Sequence, residues 1–250
     1  MVDSLAGIVL AAGSGTRLSP LTLERPKALC PVGGTALVDL AVDRLARICD
    51  DTAVNAHHQA SLLAAHLDGR VHLSVERELL GTGGALGQLR PWIDGRAVVV
   101  VNADAVHGAA LAPLVRGWDG ERVRFLLAEP PGRPFGWGVR LCAALMPWAA
   151  VRDLPASYGS IHDRVWAPWA AAGRVEVIPA PPGPWFDCGT PADYLAANLW
   201  TSDGDTVVGA GAAVLGTAVR SVIWDGARVD ARERLVDAVR TTQGRTVLVR

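Results

Sequence analysis

Apolar residues in this chain fall into two alternating patterns, short continuous runs and runs spaced at three and four. The first run, Ala6 to Ala12, is β-branched at its centre and stops at glycine, which predicts a buried parallel strand feeding a loop. From Thr35 to Ile48 the residues Leu37, Leu40, Ala41, Leu45 and Ile48 share one helical face, with Asp39, Asp43 and Arg44 off it. Strands are predicted at Thr52 to Asn55, Val71 to Val75, Ala97 to Val101, Arg122 to Ala128 and Gly138 to Cys142. Helices are predicted near Ser61 to His66, just after Gly83, at Ile161 to Ala172 and at Ala192 to Leu199. This alternation describes an α/β fold, a Rossmann-like, mostly parallel sheet with helices on both faces.

Past Thr201 the texture changes. Val208 and Val214 stand six apart, as do Ile223, Val229 and Leu235, among small residues. A six-residue apolar period predicts a short tail of left-handed parallel β-helix. The organisation read from the sequence is therefore a domain over 1–200 and a tail over 201–250. So short a coil needs a surface to stack on, which predicts packing on the main domain or homo-oligomer contacts through the tail.

Composition sharpens the picture in four places. Half of the residues are hydrophobic and a fifth charged, enough for a sizeable core. A formal net charge of −1 excludes a chain-wide electrostatic footprint for nucleic acid or an anionic membrane. Cys30, Cys49, Cys142 and Cys188 show no paired spacing and the N-terminal apolar run is too short to span a membrane, so a cytoplasmic protein with reduced thiols is expected. Of the 24 basic residues, Lys27 is the sole lysine. A compact ammonium kept where arginine serves everywhere else suggests a point charge meeting a phosphate oxygen.

Its neighbourhood bears on that suggestion. A glycine-rich loop after a buried strand lets backbone N–H groups face phosphate oxygens. A P-loop is excluded because Thr16 and Arg17 follow Gly15 where a lysine is required. A dinucleotide fingerprint is excluded because Leu18 replaces its third glycine and Pro20 interrupts the helix. What remains is a loop carrying Arg17 with a Pro26-Lys27 pair at its far end.

Gly13, Gly15, Thr16, Arg17, Leu18, Pro20, Thr22, Pro26 and Lys27 stand in register with G-x-G-T-R-L-x-P-x-T-x-x-x-P-K, and the chain resembles the sugar-1-phosphate nucleotidyltransferases. The resemblance implies Mg2+-dependent nucleotidyl transfer from a nucleoside triphosphate to a sugar 1-phosphate, releasing pyrophosphate. It implies that Arg17 and Lys27 are catalytic and that Ala11, Ala12, Gly13, Ser14, Gly15 and Thr16 bind the nucleotide. It places Gly81, Thr82 and Gly83, in a Leu-Gly-Thr-Gly-Gly segment, around the base, and Asp104 and Asp187 on the metal. The form of that segment is similar to guanylyl-transferring members, which favours GTP; a uridylyl or cytidylyl enzyme with another phosphate acceptor is the alternative. The central segment is shortened and lacks the lysine of the family's Glu-Lys-Pro, leaving Glu129, Gly136 and Trp137 as acceptor contacts. That loss raises a competing reading, a nucleotide-binding regulatory protein without turnover, against which Arg17, Lys27, Asp104 and Asp187 are all intact.

Overall fold

The computed structural model describes residues 4–129, 136 and 138–249; Trp137 lies outside the described residues. The strands that matter for the site are β1 (Leu5–Leu10), β2 (Asp51–Ala56), β3 (His72–Val75), β4 (Ala97–Asn102), β5 (Ala105–His107), β6 (Val123–Leu127), β7 (Leu141–Met146), β8 (Val175–Pro179) and β9 (Trp185–Asp187). The helices are α1 (Leu37–Leu45), α2 (Ala60–Leu67), α3 (Gly81–Ile93) and α4 (Pro191–Thr201).

Among the described residues, seven strands form the main sheet in the order β8-β6-β7-β4-β1-β2-β3. β1 pairs in parallel with both β2 and β4, while β7 runs antiparallel to β4 and β6. Alternation along the central strands sends Val9, Val54, Val99 and Val101 to a core beneath α1 and α2. The intervening Ile8, Val98 and Val100 join Leu86, Leu89 and Ile93 of α3 on the opposite face. Both faces are thus covered, which is why these strands read as continuous apolar runs. The chain leaves β1 towards β2 and β3 on one side and returns through β4 on the other. The reversal opens a crevice at the carboxyl ends of β1 and β4, where open α/β sheets bind ligands.

Several elements differ from the sequence expectation. The strand expected at Gly138 to Cys142 begins at Leu141 and is antiparallel, since a run buried on both faces carries no mark of direction. The short helix after Gly83 is a helix of 13 residues starting at Gly81. The helix expected at Ile161 to Ala172 opens with a π-helical stretch, His162–Trp166, before Ala167–Ala171.

The tail folds as short parallel ladders. Val207–Val208 pairs with Val222–Ile223, Ala213–Val214 with Arg228–Val229, Thr217–Val219 with Arg234–Val236, and Val222–Ile223 with residues Val239 and Arg240. A final strand, Thr246–Leu248, returns antiparallel against Ala238–Arg240. Ile223, Val229 and Leu235 point inward as the hexad spacing predicts. Val208 does not; it is exposed, and its neighbour Val207 packs inward instead, a one-residue slip that reverses the side-chain face. The tail is continuous with the rest: Leu18, Leu21, Tyr194, Trp224, Val229 and Val239 belong to one core cluster. Trp224 Nε1 donates to the Tyr194 hydroxyl at 3.0 Å, and that hydroxyl donates to the Pro31 carbonyl. Among the described residues, no helix is long and apolar enough to cross a membrane.

Candidate active site

Leu10 ends β1, and the chain turns through Gly13 and Gly15 into a 3-10 turn at Thr16–Leu18. Gly15 has φ 64°, and a Cβ on it would lie 2.8 Å from Thr22 Cγ2 and 3.0 Å from Lys27 Cβ. Glycine is required there for the two arms of the loop to close. Thr22 fastens them by donating its hydroxyl to the Gly15 carbonyl at 3.1 Å. The loop thereby delivers Lys27, whose side chain is 11% exposed, to the crevice.

Asp104 lies in the turn between β4 and β5, and Asp187 ends β9. β9 pairs antiparallel with β5, Asp187 opposite Ala105, and the Cys188 N–H donates to the Asp104 carbonyl at 3.0 Å. This small ladder is what brings two distant aspartates together. Lys27 Nζ is ion-paired with Asp104 Oδ2 and lies 3.6 Å from Asp187 Oδ1, while Arg17 meets Asp187 Oδ2 at 3.3 Å. Two carboxylates therefore face two cations. Beneath them Arg44 donates to the Ala105 carbonyl at 3.3 Å and sits 3.1 Å from His107 Nε2, which pins β5 from below. Burial and the Arg44 charge push the His107 imidazole down to about 3, so it is neutral at physiological pH.

A cavity of about 560 Å³, within the range of small-molecule sites, opens beside this cluster. Ala12, Gly13, Arg17, Gly81, Thr82, Asp104 and Asp187 line it, and Ala11 and Lys27 border a small cleft adjoining Gly13 and Asp104. The other expected nucleotide contacts stand differently. Ser14 and Thr16 are exposed on the loop. The Ala11 N–H is already committed to Asn55 Oδ1 at 2.7 Å. Gly83 is buried, its N–H on the Gly159 carbonyl at 2.8 Å, and the Thr82 hydroxyl accepts the Ile161 N–H at 2.9 Å.

The glycines of α3 have a packing reason. A Cβ on Gly84 would lie 2.1 Å from the Ser157 carbonyl oxygen, and one on Gly87 would lie 2.3 Å from that of Pro155. The helix lies directly on the backbone of residues 155–160, whose carbonyls Arg164 gathers from Pro155, Ser157 and Tyr158. On the expected acceptor side, Gly138, Val139 and Leu141 line the cavity. Glu129 instead accepts the Arg140 N–H, and Gly136 is half-buried.

Sequence reasoning missed the floor. Asn55 and Glu76 are both buried and line the cavity. Asn55 Nδ2 donates to Glu76 Oε1 at 2.7 Å, and Glu76 Oε2 accepts the Leu80 N–H at 2.8 Å. Together with the Ala11 bond, this chain of contacts ties the end of β1 to the start of α3, two walls of the cavity. The signal was a polar residue, Asn55, Glu76 and Asn102, at or just past the carboxyl end of β2, β3 and β4, which flank β1 in the sheet.

As for metals, among the described residues no group of three or more His, Cys, Asp or Glu gathers around a point. Asp104 and Asp187 offer two hard oxygen donors, a set that suits Mg2+, which retains waters and shares phosphate oxygens. Thiol chemistry is disfavoured, since burial pushes Cys30 and Cys49 up to about 12 and Cys142 to about 11.

A family model described as Nucleotidyl transferase matches residues 6–128. The N-acetylmuramate alpha-1-phosphate uridylyltransferase of Caulobacter vibrioides is 34% identical over 229 residues, covering 76% of this chain and 94% of that protein. The mannose-1-phosphate guanylyltransferase of Mycobacterium tuberculosis is 30% identical over 115 residues, covering 43% of this chain and 32% of that one. The solved structure of a mannose-1-phosphate geranyltransferase from Thermus thermophilus shares the fold, with TM-score 0.68 at 18% identity over 94% of this chain and 91% of that chain. The motif, the sheet and these likenesses agree: the chain belongs to the nucleotidyl transferase family.

Proposed function

We propose that this protein transfers a nucleotidyl group from a nucleoside triphosphate to a sugar 1-phosphate. The observation that carries the reading is the placement of Lys27 Nζ between Asp104 and Asp187, with Arg17 on the second oxygen of Asp187, at the wall of a cavity floored by Asn55 and Glu76. The relatives named as sugar-1-phosphate nucleotidyltransferases support the same class.

In this reading an oxygen of the sugar phosphate attacks the α-phosphorus, the bond from that phosphorus to the β-phosphate oxygen breaks, and pyrophosphate leaves. The attacking oxygen is already anionic, so no general base is required; catalysis is positioning and charge neutralisation. Lys27 meets the charge on the α-phosphoryl group, and Arg17 with the loop amides from Gly13 to Thr16 holds the departing pyrophosphate. Asp104 and Asp187 would hold Mg2+, which supplies further charge neutralisation when bound. Gly81 and Thr82 border the base. We assign 1–200 to the catalytic unit and 201–250 to a tail of left-handed parallel β-helix type.

GTP is the nucleotide we propose, from the form of the Leu80 to Gly84 segment. UTP is the second reading, favoured by the likeness to the Caulobacter uridylyltransferase along 94% of its length. Pyrophosphate release is the test, with each nucleoside triphosphate, Mg2+ and a set of sugar 1-phosphates. Release with GTP supports the first reading and release with UTP the second. Nucleotide binding with no release across the set overturns both in favour of a nucleotide-binding regulatory protein.

A further inference from the structure

The signature leaves three positions open between Thr22 and Pro26, and here two of them hold the tail. Glu24 has a side chain only 3% exposed, although it stands on a surface loop next to Leu23, which is 63% exposed. Its Oε1 accepts the hydroxyl of Thr241 and its Oε2 accepts the Gln243 N–H at 3.2 Å, with Arg245 Nε at 3.7 Å. Arg25 donates to Thr242 Oγ1 at 3.1 Å and lays its guanidinium over the Trp224 ring, 4.2 Å from the centroid.

The turn that grips Glu24 is itself tightly made. Thr241 is fully buried; its N–H donates to the Arg245 carbonyl at 2.9 Å, and its hydroxyl oxygen accepts the Arg245 N–H at 3.1 Å. It joins the antiparallel strands Ala238–Arg240 and Thr246–Leu248, so it is fixed to the coil at both ends. From Glu24 the backbone reaches Lys27 through Arg25 and Pro26, whose ring fixes one torsion, and then enters the 3-10 turn Lys27–Leu29. With Leu23 facing solvent, the tail contacts hold the middle of this arm, between Thr22, fastened to Gly15, and the buried Pro26.

We propose that Glu24 is a positioning residue for Lys27: the 241–245 turn of the tail, by holding the Glu24 carboxylate, fixes where the Lys27 ammonium sits between Asp104 and Asp187. The catalytic consequence rests on the reading of Lys27 given above; the mechanical coupling does not. Charge-assisted bonds to a buried carboxylate make a stiff anchor, and a displacement of the ammonium by about 1 Å is enough to cost on the order of a hundredfold in rate.

Because Lys27 is the sole lysine, protein labelled with 13C at the lysine ε carbon gives a single side-chain resonance that reports on this residue alone. Glu24→Ala and the near-isosteric Thr241→Val are expected to shift and broaden that resonance. They are also expected to lower kcat for pyrophosphate release by about tenfold or more, with KM for the nucleotide changed far less. Thr241→Ser should restore both, and Arg220→Ala, which breaks the exposed Arg220 to Asp237 pair elsewhere in the tail, should alter neither. A cooperatively folded Thr241→Val protein with the Lys27 resonance unmoved and kcat intact overturns the proposal. Full turnover in Lys27→Ala overturns instead the reading on which its catalytic consequence rests.

Discussion

Asp187 reaches Lys27 from a distant stretch of the chain: its Oδ1 lies 3.6 Å from Lys27 Nζ, and it is held there by pairing with Ala105 across a ladder of three residues a side. The cluster is electrically balanced, two carboxylates against two cations, and the Lys27 side chain is largely enclosed. A point charge in such a place acts in low dielectric. Lys27→Ala should therefore lower kcat for pyrophosphate release by roughly 10²–10³. Lys27→Arg should not restore it, because a planar fork cannot occupy the position of a compact ammonium. Steady-state kinetics on the two variants, with circular dichroism to confirm folding, checks both statements.

The Asn55 to Glu76 contact carries structural weight as well as lining the cavity. Glu76→Ala leaves the buried Asn55 Nδ2 and the half-buried Leu80 N–H without their acceptor. An unsatisfied buried donor costs about 1–3 kcal/mol and the half-buried Leu80 N–H less, so a loss of roughly 2–4 kcal/mol is expected. Urea unfolding should show a lower midpoint at unchanged slope. Nucleotide affinity should fall too, since the bracket spans both walls of the cavity.

α3 tolerates no side chain where it meets the 155–160 backbone. Gly84→Ala places a methyl 2.1 Å from the Ser157 carbonyl oxygen, and the strain should cost about 1–3 kcal/mol. Gly183→Ala is the control, with its nearest neighbour, the Pro181 carbonyl oxygen, 4.0 Å from the added Cβ. Thermal unfolding should separate them, with a clear drop in midpoint for the first and little change for the second.

His107 gives the fold a defined acid response. Its imidazole is pushed down from 6.5 to about 3 by burial and by Arg44, so between those values the unfolded chain binds the proton and the folded chain does not. Its contribution is complete above about pH 6.5 and is lost progressively as the pH falls through that window, at up to about 1.4 kcal/mol per pH unit. Stability measured between pH 4 and 6.5 should have a shallower slope in His107→Asn than in the parent protein.

The parts of the site that lie on one continuous stretch were legible in the sequence. β1, its glycine loop and Lys27 announce themselves by local pattern, and Asp104 by its place after four buried valines. The pairing of β5 with β9 was not, since strands of three residues show no periodicity to read. The direction of β7 was hidden because burial on both faces erases alternation. The packing role of Gly84 and Gly87 was not legible, because close helix-to-loop packing and close approach to a ligand ask for the same residue. Asn55 and Glu76 escaped because their partners are each other and the backbone, relations that appear only once β2 and β3 are adjacent.

The return of Thr246–Leu248 against Ala238–Arg240 has a consequence for how the tail can grow. In a stacked coil each rung leaves its outer backbone groups open as a template for the next, so an array is by default extendable, by duplication within the chain or by addition of a neighbour. Here, on the face built from Val207–Val208, Val222–Ile223 and Ala238–Arg240, the last parallel strand is occupied by one of opposite direction, and a further parallel strand has no place to dock on that face. That face is closed to extension, and association of copies through the tail, if it uses backbone pairing, must proceed from some other edge, such as Arg228–Val229 or Arg234–Val236, each of which ends a two-stranded ladder.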